Sequence, residues 1–149
     1  MNNLPNINKC NLAIIGLGYV GLPVAIEFAL KKKSVLDQSK LDRKIIGFDI
    51  NQQRIKELKN HIDITKEIDN QILENTKNIF FTNDPIQLSN ADVYIVTVPT
   101  PIDNEKNPDL SLLKKACKTI GLAIKNRNSD SIPVVIFEST VYPGATEEI

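Results

Sequence analysis

A glycine-rich turn over residues 14–23, reading IIGLGYVGLP, constrains this chain most, because it joins an apolar strand to an apolar helix. Gly16 is predicted to turn sharply at a positive φ, which excludes most side chains. Gly18 would leave the backbone bare for a pyrophosphate, and Gly21 would let the helix pack closely on the strand. Together with the helix N-terminus, the turn predicts a dinucleotide site; a structural βα turn without a ligand is the alternative. The predicted pyrophosphate-binding residues are Gly16, Leu17, Gly18, Tyr19, Val20 and Gly21.

Short apolar segments alternate with amphipathic ones along the chain. This periodicity predicts strands over residues 11–15, 44–48, 79–82, 93–98 and 134–137, and helices over 22–30, 51–59, 65–73 and 110–125. Asn51 and Asp84 are predicted helix N-caps. The alternation predicts an α/β fold, a Rossmann-like doubly wound parallel sheet with helices on both faces. All 149 residues are expected to form one domain.

Composition argues against several classes of partner. Eighteen basic residues balance eighteen acidic ones, which gives no reason to expect nucleic acid or an anionic membrane. No signal peptide or membrane-length apolar run is present in the sequence, so a cytoplasmic location is expected. Cys10 and Cys117 fit no metal or redox spacing and are predicted to be buried small hydrophobic residues. His61 stands alone and is predicted to lie in a surface loop, so no metal site is expected.

The second predicted strand ends at Asp49. A carboxylate at this edge can accept hydrogen bonds from the adenosine ribose and would repel a 2′-phosphate, which favours NAD over NADP. Arg54, one helical turn further on, complicates this choice, since a guanidinium can hold a 2′-phosphate or stack on adenine. The alternative role for Asp49 is a helix N-cap, although Asn51 is better placed. Asp49 lies further from the glycine turn than the usual spacing of about 20 residues, which fits an insertion over residues 31–43.

Two further segments lie at the ends of the last two predicted strands, 93–98 and 134–137. Residues 96–103 read VTVPTPID, and a stiff turn of Val98, Pro99, Thr100 and Pro101 is predicted to contact the cofactor ribose; a plain strand exit is the alternative. Residues 138–144 read ESTVYPG, which places Ser139 and Thr140 near the nicotinamide end. Glu138 can be read as an exposed strand end.

These four segments together resemble the N-terminal domain of the nucleotide-sugar 6-dehydrogenases, the UDP-glucose and UDP-N-acetylhexosamine dehydrogenase family. The resemblance covers residues 12–148 through GLGYVGLP (16–23), GFDIN (47–51) with Arg54, VPTPID (98–103) and ESTVYPG (138–144). The last two segments look most like the N-acetylhexosamine branch, which serves capsule, Vi-type and O-antigen synthesis in bacteria. The UDP-glucose branch usually has Asn-Thr-Pro where this chain has residues 99–101.

The resemblance implies oxidation of the C6 hydroxyl of a UDP-sugar to a carboxylate with two NAD⁺. In the family the catalytic cysteine, lysine and asparagine lie beyond the segment matched here, so this chain is expected to be the cofactor domain of a longer, homo-oligomeric enzyme and inactive alone. The implied roles are pyrophosphate binding for residues 16–21, the adenosine side for Asp49 and Arg54, the ribose for residues 98–101, and the nicotinamide end for Ser139. Thr140 is implied to position a water or the substrate oxygen.

Other functions stay open at this point. The chain can be a stand-alone regulatory module that senses NAD(H), or the NAD domain of a UDP-glucose, short-chain or 6-phosphogluconate-type dehydrogenase.

Overall fold

A five-stranded parallel sheet organises the described part of the chain. The computed structural model describes residues 3–102 and 108–148; Asp103 of the predicted 98–103 segment lies outside them. The strands are β1 (Leu12–Ile15), β2 (Ile45–Phe48), β3 (Ile79–Thr82), β4 (Val93–Val96) and β5 (Val134–Phe137), in the spatial order β3-β2-β1-β4-β5. All four neighbouring pairs are parallel. The helices are α1 (Gly21–Leu30), α2 (Gln52–Lys59), α3 (Asn70–Asn75), a 3₁₀ helix (Pro85–Asn90), α4 (Ser111–Lys125) and α5 (Ala145–Glu148).

Helices cover both faces of the sheet, as predicted. Alternate residues of β1 supply the two hydrophobic cores, since successive side chains of a strand point to opposite faces. Leu12 and Ile14 pack with α1 and α2 in one core. Ala13 and Ile15 pack with the 3₁₀ helix and α4 in the other. The prediction of a doubly wound α/β sheet is therefore confirmed.

Two predicted caps are confirmed. The Asn51 side chain accepts hydrogen bonds from the backbone N–H groups of Gln53 and Arg54 at the start of α2. The Asp84 side chain accepts from Ile86 N–H, and Pro85 occupies the first turn of the 3₁₀ helix. Because Asn51 caps α2, the capping role considered for Asp49 does not apply.

The helix predicted over residues 65–73 is wrong in its first half. Residues 65–69 form an irregular loop, and α3 begins at Asn70 with Asp69 as its N-cap. The Asp63 carboxylate accepts hydrogen bonds from the N–H groups of Thr65, Glu67 and Ile68, which draws this segment away from a helical path. Lys66 has a left-handed φ of 58°. The strand predicted over 93–98 also ends earlier, at Val96.

The two cysteines and the histidine differ in their burial. Cys10 is buried, as predicted, whereas Cys117 is only half-buried; burial raises the pKa of both thiols. His61 is exposed in a loop, as predicted, with a φ of 60°. No cluster of metal-ligating side chains occurs within residues 3–102 and 108–148. None of the helices in the described part of the chain has the length and apolar character needed to cross a bilayer.

Candidate dinucleotide-binding cleft

The carboxyl ends of the central strands open onto a cleft of about 960 Å³. In open parallel sheets this edge is where ligands bind, and the volume suits an extended small-molecule cofactor. Ten of the predicted site residues line the cleft: Gly16, Gly18, Tyr19, Val20, Asp49, Val98, Pro99, Thr100, Ser139 and Thr140.

The glycine turn has the geometry that its spacing predicts. Gly16 adopts a φ of +96°, a conformation that L side chains rarely take. A Cβ on Gly18 would meet nothing within 4 Å, so its backbone faces open space. A Cβ on Gly21 would lie 1.8 Å from the carbonyl oxygen of Gly16, so the start of α1 packs directly on the turn.

Backbone donors at the turn are free for a ligand. Among the described residues, the N–H groups of Gly18, Tyr19 and Val20 have no hydrogen-bond partner. Val20, the N-cap of α1, makes no side-chain capping bond, and the first turn holds no acidic residue. These N–H groups and the positive end of the helix dipole form a site for an anionic group such as a pyrophosphate.

The Asp49 carboxylate is held at the rim of the cleft by two backbone donors. Its Oδ2 accepts from Leu17 N–H and its Oδ1 from Asn51 N–H, both at 2.8 Å. A carboxylate has about four lone-pair positions, so acceptor capacity is left for a ligand hydroxyl. Asp49 therefore presents a fixed negative charge beside the free N–H groups of the turn.

Four predicted site residues do not line the cleft. The Leu17 side chain and Gly21 are buried, and both backbone polar groups of Leu17 are hydrogen-bonded within the protein, to Asp49 and Arg54. Pro101 is exposed outside the cleft. Arg54 lies beneath the glycine turn, with only 7% of its side chain exposed. Its contact with adenosine remains a prediction, and the buried position of the side chain does not support it.

Hydroxyl groups tie together the loops that follow β4 and β5. Ser139 Oγ donates to the carbonyl oxygen of Val98 at 2.6 Å, and Thr100 Oγ1 donates to the carbonyl oxygen of Thr140. The two loops therefore form one wall of the cleft. The Ser139 hydroxyl donates its proton within the protein, to Val98. The exposed Thr140 side chain instead lies at the cleft surface.

A further part of the cleft lining, on α4, was not predicted from the sequence. The first half of α4 lines the cleft, whereas the sequence had predicted only that residues 110–125 form a helix. Leu112, Lys115 and Thr119 stand three and four residues apart, the spacing that places side chains on one helix face. That spacing was the available signal. The additional lining residues are Ile15, Phe48, Ile50, Thr97, Leu112, Lys115, Ala116, Lys118, Thr119 and Glu138.

Comparison with known proteins agrees with this geometry. The model of the UDP-glucose/GDP-mannose dehydrogenase family, NAD binding domain, matches residues 10–149. Protein CapL of Staphylococcus aureus is 51% identical over 138 residues, covering 93% of this chain and 28% of its own. A UDP-N-acetyl-D-glucosamine 6-dehydrogenase of Pseudomonas aeruginosa is 48% identical over 137 residues, covering 92% of this chain and 29% of its own.

A solved structure shares the fold. The UDP-D-ManNAc dehydrogenase of Pyrococcus horikoshii superposes with a TM-score of 0.75 at 31% identity, covering 93% of this chain and 30% of that protein. The chain thus spans less than a third of the length of the relatives it matches.

Proposed function

Because this chain belongs to the UDP-glucose/GDP-mannose dehydrogenase family as an NAD-binding domain, we propose that it supplies the cofactor site of a dehydrogenase that oxidises C6 of a UDP-N-acetylhexosamine. The observation that carries the proposal is the row of free N–H groups at residues 18–20 beside the fixed Asp49 carboxylate. The first feature suits a pyrophosphate and the second a ribose diol.

The residues of this chain fit NAD rather than NADP. Gly18 leaves open space where a side chain would obstruct a pyrophosphate. The Asp49 charge would repel a 2′-phosphate, and the nearby Arg54 is turned away from the cleft. When bound, NAD⁺ accepts a hydride from the substrate. The domain holds and orients that cofactor, and the wall formed by residues 98–100 and 138–140 would shield its nicotinamide end.

The proposed reaction converts a primary alcohol to a carboxylate. It removes two hydrides, so each sugar consumes two NAD⁺ and one water and releases two NADH with protons. Thr140 is the residue here that we propose to stand closest to the reacting carbon, where its hydroxyl would position the water or the substrate oxygen. Its side chain is exposed at the cleft surface, as that role requires.

The choice of sugar rests on the relatives. Their names include UDP-N-acetyl-D-glucosamine 6-dehydrogenase and UDP-N-acetyl-D-mannosamine dehydrogenase. We propose accordingly that the whole enzyme acts in the cytoplasm as a homo-oligomer and supplies uronic acids for bacterial surface polysaccharide.

Two experiments test the proposal. Titration calorimetry of the 149-residue chain should detect binding of NAD⁺ in preference to NADP⁺, and no NADH should form with UDP-N-acetylglucosamine. The whole dehydrogenase that contains this domain should form two NADH per UDP-N-acetylglucosamine and turn over UDP-glucose more slowly. Tighter binding of NADP⁺ would contradict the cofactor assignment, and equal rates with both sugars would contradict the substrate assignment.

A further inference from the structure

A buried arginine holds the glycine turn from below. The Nε–H of Arg54 donates to the carbonyl oxygen of Leu17 at 2.9 Å. Its Nη1 lies 2.8 Å from Oδ1 of Asp63, and its Nη2 donates to Thr65 Oγ1 at 3.4 Å. The guanidinium therefore links the turn to the 61–69 loop.

Asp63 is a fully buried anchor for that arginine, since none of its side chain is exposed. Its Oδ1 accepts from the N–H and the hydroxyl of Thr65 at 3.1 and 2.7 Å. Its Oδ2 accepts from the N–H groups of Glu67 and Ile68 at 2.9 and 3.0 Å. Four hydrogen bonds and one cation thus fix the carboxylate, and the 61–69 loop is built around it.

The direction of one peptide group connects this anchor to the cleft. In a trans peptide the C=O and the following N–H point in opposite directions. The Leu17 carbonyl and the Gly18 N–H belong to the same peptide, and Arg54 holds that carbonyl from beneath the turn. The Gly18 N–H is thereby aimed at the open side, where it has no partner among the described residues.

We propose that Asp63 is a positioning residue for the cofactor site: through Arg54 it fixes the Leu17–Gly18 peptide so that the Gly18 N–H faces the pyrophosphate. This inference rests on the proposed function, since it assigns the pyrophosphate to the glycine turn. Buried ion pairs often add little to stability compared with apolar packing. An ion pair that instead orients a backbone donor acts on ligand affinity.

The test replaces the Asp63 charge while keeping its shape. Asp63→Asn removes the anion that holds Arg54, and Asp69→Asn is the matched control. Asp69 lies on the same loop and loses the same charge, but its side chain caps α3 and asparagine caps equally well. Affinities of each protein for NAD⁺, ADP-ribose and AMP are measured by calorimetry, alongside thermal unfolding.

The expected result separates ligands with a pyrophosphate from AMP. Asp63→Asn should bind NAD⁺ and ADP-ribose about tenfold more weakly, the loss of most of one hydrogen bond to a charged group, with a smaller change for AMP. Asp69→Asn should match the original chain. A lower melting temperature with unchanged NAD⁺ affinity, or an equal loss for all three ligands, would overturn the positioning role.

An NMR measurement tests the orientation of the Gly18 N–H independently of ligand binding. In the ligand-free chain, the amide ¹H–¹⁵N resonance of Gly18 should move in Asp63→Asn and stay in place in Asp69→Asn. An unmoved Gly18 resonance would overturn the inference even if NAD⁺ binds. Absence of NAD⁺ binding by the original chain would contradict the proposed function alone. If Asp63→Asn does not fold, Arg54→Lys is used, since a lysine cannot hold Leu17 and Asp63 together and should move the same resonance.

Discussion

The hydroxyl of Thr97 donates a hydrogen bond to the backbone carbonyl oxygen of Gly16 across 2.8 Å. The same hydroxyl lies 3.1 Å from the carbonyl oxygen of Ile15, so the end of β4 is joined to the end of β1. A Cβ on Gly21 would lie 2.4 Å from this hydroxyl oxygen and 1.8 Å from the Gly16 carbonyl oxygen. Two strand ends and the start of α1 therefore meet with no room for a methyl group.

This crowding makes Gly21 intolerant of substitution. Gly21→Ala should destabilise the chain by about 3 kcal/mol or more, because the contact involves backbone that cannot move without displacing the turn. Gly121→Ala is the matched control, since a Cβ at this exposed position of α4 meets nothing within 4 Å. It should stabilise the helix by about 0.5–1 kcal/mol. Urea unfolding followed by circular dichroism measures both; equal effects at the two positions would refute the packing argument.

The charge of Asp49 should set both affinity and cofactor preference. Asp49→Asn keeps the shape of the side chain but weakens its acceptance of ribose hydroxyls, at a cost of about 1.5–3 kcal/mol in NAD⁺ binding. Removal of the negative charge should also narrow the preference for NAD⁺ over NADP⁺. Competitive titration of the two cofactors checks both effects. Asp84→Asn, an N-cap change at a residue that does not line the cleft, is the control, and an unchanged NAD⁺/NADP⁺ ratio would remove Asp49 from cofactor selection.

Asp63 should make the chain sensitive to acid. Burial acts to raise its pKa, but hydrogen bonds from Thr65 and the Ile68 N–H, together with Arg54, outweigh burial and hold the pKa below its usual value. A carboxyl with a lowered folded pKa stabilises the protein above its unfolded pKa of about 3.9, and this contribution is lost as the pH falls towards the folded pKa.

The pH dependence of unfolding by urea tests this expectation. Between about pH 6 and pH 3 the free energy of unfolding should fall less in Asp63→Asn than in the original chain, because the asparagine takes up no proton. Asp37 and Asp109, whose pKa values hydrogen bonds also lower, remain in both proteins. Parallel curves would mean that Asp63 titrates alike in the folded and unfolded chain.

Thr140 should affect turnover more than cofactor affinity. In the whole dehydrogenase, Thr140→Ala should lower kcat with UDP-N-acetylglucosamine and leave the Kd for NAD⁺ nearly unchanged, since the proposed target of its hydroxyl is the reacting carbon. Thr140→Ser retains the hydroxyl and should recover most of the rate. Steady-state kinetics with direct cofactor titration distinguishes the cases; an undiminished kcat in the alanine variant would exclude Thr140 from the mechanism.

Much of the fold could be predicted because its signals are local. The apolar strands, the caps at Asn51 and Asp84, and the three glycines each follow from short-range sterics or hydrogen bonds, and the structure places them as expected. The 65–69 segment could not be predicted from its apolar spacing. Its backbone N–H groups bond to Asp63 instead of forming helical bonds, and the Asp63 charge is held there by Arg54.

The sequence by itself determined the parallel sheet, the glycine turn and the strand-edge position of Asp49, since periodicity and residue conformation act within a few residues. Only the tertiary structure decided which other residues surround the glycine turn and Asp49. It brought Lys115 and Thr119 of α4 to the cleft and placed Arg54 beneath the glycine turn. These outcomes depend on helix packing and on the bond of the buried Arg54 to the Leu17 carbonyl, 37 residues away, which no local pattern encodes.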